Sequence, residues 1–318
     1  MQYKGVCHEW KEIEYIIKIA EEKNITKAAE KLYLTPSALA QQLLRTEEEL
    51  GPRLFVRSKT GCIPTEAGNL YLEAAREILR KKQDTYRKIQ DMEGIRQGNL
   101  SIGFPPEHGS DMFIHVYPEF HRRYPDIKLR IHEISVRKQQ QQIRQGGLDL
   151  GFMTLTNDQK TKDSYLTLGT EELLAAVPES CQVGSRNQKP GNGVLDELDL
   201  VCLKDQPFAV PYKESTLYDW PESFFRQAGF SPECLFETSR ISTILNMIGA
   251  GLCCGLLPDY YYKPDAKGIQ YYSLPQHPVW ELAACYRRNG YLTRPMKDFI
   301  ELARAYWDGV NNRYKGSL

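Results

Sequence analysis

Along residues 26–68 the apolar positions recur at three- and four-residue spacing in two short bursts and then alternate. Ala28, Ala29 and Leu32 give one apolar face over two turns, Thr26 is placed to cap that helix, and its end is expected near Tyr33. Thr35 opens a further helix with Pro36 at its first position, where a missing N–H costs nothing. Ala38, Leu39, Leu43 and Leu44 are its expected buried side. Ser37, Gln41, Gln42 and Arg45 are left facing outward. Beyond Gly51, Arg53-Leu54-Phe55-Val56-Arg57, the turn Ser58-Lys59-Thr60-Gly61 and Cys62-Ile63 predict a two-stranded wing. Upstream, Trp10, Ile13, Ile16, Ile17 and Ala20 recur at helical spacing and predict a first helix packed under the pair.

Residues 65–93 read as one long helix, without Gly or Pro after Gly68. Leu72, Ala75, Leu79, Lys82, Tyr86 and Ile89 step along it by threes and fours, the spacing of a coiled-coil seam. A lone helix of that length needs a partner to bury its stripe, either a second subunit or its own C-terminal domain. The polar, glycine-flanked residues 94–98 mark a domain boundary. After it, short apolar strands (100–104, 127–134, 148–153) alternate with helices, one capped by Ser110 or Asp111 and one rich in glutamine that ends at Gly146-Gly147. A second unit of the same kind starts near Glu171, with strands at 173–177, 208–210, 234–237 and 252–257 and helices at 216–229 and 241–250. A returning strand at 279–287 and a helix at 296–306 close the chain. Repeated strand and helix at this pitch predict an α/β domain with a largely parallel sheet.

Composition narrows the function. The chain has 318 residues, enough for two or three domains, and its formal charge is zero, which argues against a protein that coats nucleic acid indiscriminately. Between Lys23 and Thr65, however, seven Lys or Arg stand against four Glu. Two short helices, a tight turn and a basic wing suit a helix-turn-helix whose second helix enters the major groove. Gln pairs bidentately with an adenine edge, Ser serves either base, Ala offers a methyl-sized contact, and Arg45 suits a phosphate. Ordinary packing helices would show the same apolar spacing. No cationic leader and no apolar stretch long enough to span a bilayer occur, so cytoplasmic residence without membrane contact is the expectation. The eight cysteines lack a Cys-x-x-Cys pair, and most are expected to be buried small hydrophobes.

In order and spacing, Ala28-Ala29-x-x-Leu32, Thr35-Pro36-Ser37-Ala38-Leu39, Gln42, Glu48-Glu49-Leu50-Gly51, Leu54-Phe55-x-Arg57 and Thr65-Glu66-Ala67-Gly68 resemble the N-terminal domain of the LysR-type transcriptional regulators. Phe120-x-x-x-Tyr124-Pro125-Asp126, Gly147-x-Asp149-Leu150 and Ala250-Gly251-Leu252-x-x-Gly255-Leu256-Leu257-Pro258 resemble signposts of that family's effector domain, so the likeness covers nearly the whole chain. There are departures. Many members have Ser-Gln-Pro-Ala-Leu-Ser where this chain has Thr35-Pro36-Ser37-Ala38-Leu39-Ala40, which removes a base-reading Gln and a hydroxyl. Leu43-Leu44-Arg45-Thr46-Glu47 replaces a common Ile-x-x-Leu-Glu segment, so operator sequence does not carry over from relatives.

The resemblance implies an α/β protein with a helix-rich N-terminal winged helix-turn-helix (residues 1–68) and a dimerisation helix (69–94). The effector domain would resemble periplasmic binding proteins, with subdomain I at 99–168 and 276–318, subdomain II at 169–275, and chain crossings near 166–170 and 271–275. Partners implied are double-stranded operator DNA, a second copy or three more as homodimer or homotetramer, a small-molecule effector and, as a further candidate, RNA polymerase. The candidate DNA contacts are Thr26, Thr35, Pro36, Ser37, Ala38, Gln41, Gln42, Arg45, Arg53, Arg57 and Lys59.

Open α/β sheets bind ligands beyond the carboxyl ends of their strands. That rule and the family's clefts point to Pro105, Pro106, Glu107, His108, Gly109, Ser110, Ser135, Thr154, Pro211, Tyr212 and Lys213, with Ser215 and Thr216 beside them. Ser110 at a helix start opposite Lys213 would suit an anionic effector, whereas Glu107 would oppose one. No Gly-x-Ser-x-Gly, His-Glu-x-x-His or Walker-type motif occurs, and His115, Glu119 and His121 are only a faint metal possibility, so neither an enzyme nor a cofactor is expected. A solute-binding protein without DNA function is the alternative, but it leaves the basic wing and residues 35–45 unemployed.

Overall fold

Ile16, Ile19, Ala28, Ala29, Leu39, Leu43, Leu54, Phe55, Cys62 and Leu72 close into one buried cluster, so the N-terminal periodicities meet in a single core. The computed structural model describes residues 6–58, 61–94, 97–181, 183 and 195–315. The chain divides into two units, Met1–Glu93 and Gly94–Leu318.

The first unit comprises α1 (Val6–Glu22), α2 (Ile25–Lys31), α3 (Pro36–Leu50), the antiparallel wing β1 (Phe55–Ser58) and β2 (Gly61–Pro64), and α4 (Glu66–Met92). Asn24, rather than Thr26, caps α2 by accepting the Lys27 N–H at 3.1 Å. The half-buried Ile25 belongs to the core and draws the helix start forward, which leaves Thr26 within the first turn. α2 ends in a Schellman motif: Tyr33 N–H donates to the Glu30 carbonyl at 3.2 Å and Leu34 N–H to the Ala29 carbonyl at 2.9 Å, while Tyr33 takes a left-handed φ of 56°. Thr35 does cap α3, accepting the Ala38 N–H at 3.2 Å. The buried stripe of α3 is Leu39, Leu43 and Thr46, one helical row; Ala38 and Leu44 fall on its flanks and are exposed.

Glu47 ties α3 to the wing, its Oε1 accepting the N–H groups of Leu54 at 2.7 Å and Phe55 at 3.2 Å. The Thr65-Glu66-Ala67-Gly68 motif has a steric cause. Thr65 caps α4 and donates to the Arg53 carbonyl at 2.7 Å, which presses the helix start against the wing strand. A Cβ on Gly68 would lie 1.9 Å from the Leu54 carbonyl oxygen. α4 has 27 residues. It therefore runs about 40 Å. Leu72 and Ala75 bury its first half, whereas Ile78, Tyr86, Ile89 and Met92 are exposed.

In the second unit β3 (Gly98–Phe104), α5 (His108–Arg123), β4 (Ile127–Glu133), α6 (Val136–Gln145) and β5 (Leu150–Leu155) build the first lobe. β6 (Ser164–Pro178) then runs unbroken into the second, made of β7 (Pro207–Pro211), α7 (Thr216–Gln227), β8 (Glu233–Thr238), α8 (Ile241–Gly249), β9 (Gly255–Pro258) and β10 (Ile269–Ser273). β11 (Val279–Tyr286) and α9 (Arg294–Lys315) return to the first lobe. The sheet order is β10-β6-β11-β5-β3-β4, with β9 also on β6 and β7-β8 as a separate pair.

Two expectations change. Pairing is parallel for β3 with β4, β3 with β5 and β7 with β8, but β6 and β11 run antiparallel to every neighbour, so the sheet is mixed. The second lobe has no separate strand at 173–177. That segment is the far end of β6, whose residues 164–172 pair with β11 and whose residues 173–178 pair with β9 and β10. Of the cysteines, Cys62, Cys253, Cys254 and Cys285 are buried, while Cys202 and Cys234 are exposed. Burial pushes the Cys254 and Cys285 thiols up to about 12, which makes them inert packing groups near neutral pH.

Replacing Gly68 by Ala forces backbone apart rather than a flexible side chain. Gly68→Ala is expected to destabilise the N-terminal unit by about 3 kcal/mol. Urea unfolding followed by circular dichroism checks this, and a midpoint equal to wild type would refute the steric reading.

Candidate DNA-reading surface and effector cleft

The core stripe of α3 turns its opposite face to solvent. Thr35, Pro36, Ser37, Ala38, Gln41 and Arg45 are all exposed there, and Thr26 is exposed in the first turn of α2. Thr35 and Ser37 share a hydroxyl–hydroxyl bond of 3.2 Å, so the start of α3 is ordered before any partner arrives. Gln42 leaves the set: it is half-buried and its amide donates to the Glu12 carboxylate on α1, because it precedes the buried Leu43 and points toward the helix bundle. Arg53 is exposed just before β1, and Arg57 lies on β1 opposite Cys62. Lys59 lies outside the described residues. The arrangement offers hydroxyl, methyl and amide groups on one helix face, flanked by guanidinium groups, which is the chemistry of base edges bordered by phosphates.

The second site lies between the two lobes of the Gly94–Leu318 unit, at the ends of β3, β5 and β7. Its walls include Pro105, Pro106, Glu107, His108, Ser135, Thr154, Pro211 and Tyr212, together with Ser215, Thr216, Ser239, Ile241, Tyr261 and Trp280. The free volume in the cleft is about 60 Å³, room for a few water molecules. Five polar contacts link the lobes across it. Glu107 accepts the Ile241 N–H at 2.7 Å and the Ser242 hydroxyl, so a carboxylate from one lobe caps α8 of the other. Thr216 donates to the Thr154 carbonyl at 2.9 Å, Gln159 to the Thr216 carbonyl at 3.1 Å, and Arg137 pairs with Asp219.

Beneath the cleft lies a group that nothing in the sequence singles out. Glu171 on β6 is buried. Its Oε1 lies 2.6 Å from His108 Nε2 and its Oε2 accepts the Trp280 indole N–H at 2.9 Å. Trp280 stacks on Trp220 of α7 with ring centroids 5.0 Å apart, and His108 stacks on Trp307 at 4.4 Å. The strand crossing is thus held by a polar core inside an aromatic shell. Burial and then the nearby Glu171 carboxylate push Asp259 from its ordinary 3.8 up to about 7.

Three expected members are elsewhere. Helix α5 starts at His108 and not at Ser110 or Asp111, since Glu107 takes a left-handed φ of 60° to reach α8. Ser110 consequently sits inside the first turn, away from the cleft lining. Gly109 packs against Phe104, whose Cβ a side chain there would approach to 2.5 Å. Lys213 lies 3.7 Å from Glu237 on β8 and lines a separate cavity of about 350 Å³ between α7 and the β7-β8 pair. The charged side chain of the cleft rim is therefore the acid Glu107, and the Ser110–Lys213 pair that favoured an anion is not formed. On α5, Glu119 is bound by Arg122 and Arg123, and His115 Nδ1 lies 2.7 Å from the Asp111 carbonyl oxygen; among the described residues no group of ligands fits a metal ion. No helix among them is long and apolar enough to cross a membrane.

A winged helix-turn-helix followed by a long helix and a two-lobed cleft domain defines the class of ligand-responsive DNA-binding regulators. Comparison with known proteins makes this specific. Residues 10–69 match the family described as bacterial regulatory helix-turn-helix protein, lysR family, and residues 93–308 match the LysR substrate binding domain. The chain belongs to the LysR family of transcriptional regulators. It is 27% identical over 305 residues to the uncharacterized HTH-type transcriptional regulator YcgK of Bacillus subtilis, covering 92% of this chain and 93% of that one. It is 26% identical over 309 residues to the DNA-binding transcriptional dual regulator OxyR of Escherichia coli, covering 94% and 96%. Among solved structures, a full-length OxyR variant from Pseudomonas aeruginosa shares the fold with a TM-score of 0.66 at 22% identity, covering 93% of this chain and 94% of that one.

The position of Asp259 sets a pH dependence. Between pH 3.8 and about 7 the folded chain retains a proton that the unfolded chain has released, so this group's stabilising contribution is complete at low pH and is lost as pH rises through that window. The slope is roughly 1.4 kcal/mol per pH unit at its steepest. Asp259→Asn is expected to lack that component, as urea midpoints of both proteins from pH 5 to 8 would reveal; parallel curves would exclude it.

Proposed function

We propose that α3 lies in the major groove of each operator half-site, with Ser37, Ala38 and Gln41 toward base edges and Arg45, Arg53, Arg57 and Lys59 toward phosphates. The observation that carries this reading is the outward row Thr35, Pro36, Ser37, Ala38, Gln41 and Arg45 on a helix whose opposite side is core. Residues 1–68 read DNA and residues 69–94 pair subunits through the exposed Ile78, Tyr86, Ile89 and Met92, so a homodimer or homotetramer offers two α3 helices to two half-sites. Residues 99–168 with 276–318 form one effector lobe and residues 169–275 the other. The chain works by binding rather than catalysis, in the cytoplasm where the operator is.

The effector occupies the cleft of Glu107, Ser135, Thr154 and Tyr212. Ser135 Oγ is buried at the start of α6 without a hydrogen-bond partner among the described residues, and an entering polar group would satisfy it. Opening or re-closing the lobes changes the spacing of the long helices and with it the grip on DNA, provided the effector prefers one state.

A gel shift against the DNA upstream of the coding sequence tests the first claim. Gln41→Ala is expected to cost about 1–3 kcal/mol on operator with relaxed base preference, and Arg45→Ala to weaken all duplexes and lower the salt slope by about 1. Wild-type binding by both variants would sink the α3 assignment. For the cleft, a thermal-shift screen of polar metabolites should find a compound that raises the melting temperature of the wild type but not of Ser135→Leu; an equal rise in both would place the ligand elsewhere.

A further inference from the structure

Among the described residues of the DNA-reading unit two non-glycine residues take a positive φ, Lys23 and Tyr33, and Tyr33 is the one that sets a large aromatic ring there. It occupies the position after the α2 C-cap, with φ 56°, where glycine is the ordinary choice because a Cβ meets the following carbonyl oxygen. The motif's apolar contact is supplied by its neighbours, since Leu34 and Ala29 lie in or against the N-terminal core. The Tyr33 side chain is 97% exposed. A large aromatic ring is thus held in solvent on a conformation that disfavours it, directly between the two helices of the helix-turn-helix.

The location assigns it a partner. In a docked helix-turn-helix the first helix crosses the sugar–phosphate backbone and the second enters the groove, so the connecting turn lies over the groove's edge. Lys31, Tyr33, Thr35, Pro36 and Ser37 are all exposed and lead from that turn onto the outer face of α3. We propose that Tyr33 is a DNA-positioning residue, its hydroxyl donating to a phosphate at the edge of the major groove while its ring covers the adjoining sugar. This rests on the assignment of α3 to the groove. A neutral donor to a phosphate fixes register and depth; it reads no base and displaces no counterion by its own charge.

Fluorescence anisotropy on the full chain, with the operator duplex and an unrelated duplex, tests the idea alongside thermal melts. Tyr33→Gly should raise the melting temperature, because the backbone is relieved, yet weaken binding to both duplexes by the same factor, about tenfold. Tyr33→Phe should lose about threefold on both, the hydroxyl's share, and neither should change the salt slope. A Tyr33→Gly protein that melts higher and binds operator as wild type overturns the proposal, as does a loss confined to operator or one accompanied by a smaller oligomer. Gln41→Ala and Arg45→Ala run in parallel: if they too leave binding intact, the assignment of α3 has failed, whereas their effects beside a silent Tyr33 sink this proposal alone.

Discussion

The ligand-binding half of the molecule depends on one strand belonging to two lobes. β6 contributes its first nine residues to one sheet region and its last six to another, and at the change-over it carries Glu171. A buried carboxylate is costly unless every oxygen is occupied. Here His108 from the first lobe and Trp280 from the returning strand occupy them, and Trp280 is stacked on Trp220 of the second lobe. The polar contact therefore fixes the relation of three segments that meet at the crossing. A rotation that broke these contacts would leave a buried carboxylate unpaired, whereas Glu107, Thr154, Gln159 and Arg137 make separate contacts with the second lobe at the outer cleft.

The DNA-reading half obeys a different constraint, close approach of backbone. With no Cβ at Gly68, the start of α4 sits on the Leu54 carbonyl, and Glu47 gathers the adjacent N–H groups of the same strand. Wing, α3 and α4 are consequently one rigid piece within that unit. The alternating pattern at 53–63 would otherwise specify only an isolated hairpin, which is marginal in water.

Elements whose stability comes from local periodicity were legible in the chain: α1, the long α4, the α6 that ends at Gly146, and the cap at Thr35. What escaped depended on long-range geometry. Asn24 displaced Thr26 as a cap because Ile25 joined the core, and Gln42 turned inward because Glu12, 30 residues away, offered an acceptor. The cleft followed from the rule that loops after strand ends converge, which gathers Pro105, Ser135, Thr154 and Tyr212. Glu171 and Trp280 were invisible because a strand residue below a cleft has no periodic or turn signature. Lys213 was misplaced because its strand pairs with β8, which draws the ammonium toward Glu237 and away from the other lobe.

The same geometry limits how a ligand can act. The closed cleft has about 60 Å³ to spare, less than the several hundred that a ligand pocket usually offers. A larger occupant of this cleft would have to part contacts across the lobes, and both the Glu107 bridge and the Thr216–Thr154 hydrogen bond lie on the cleft wall. That bridge holds a left-handed backbone at Glu107, a strain of roughly 1–3 kcal/mol, which is released when the loop lets go. The Glu107 bridge caps α8 and favours this arrangement, while the positive φ of the loop that reaches it acts in the opposite direction. A balance of that kind lets a small molecule of ordinary affinity shift the population of lobe arrangements, since only its preference between states, not its total binding energy, does so.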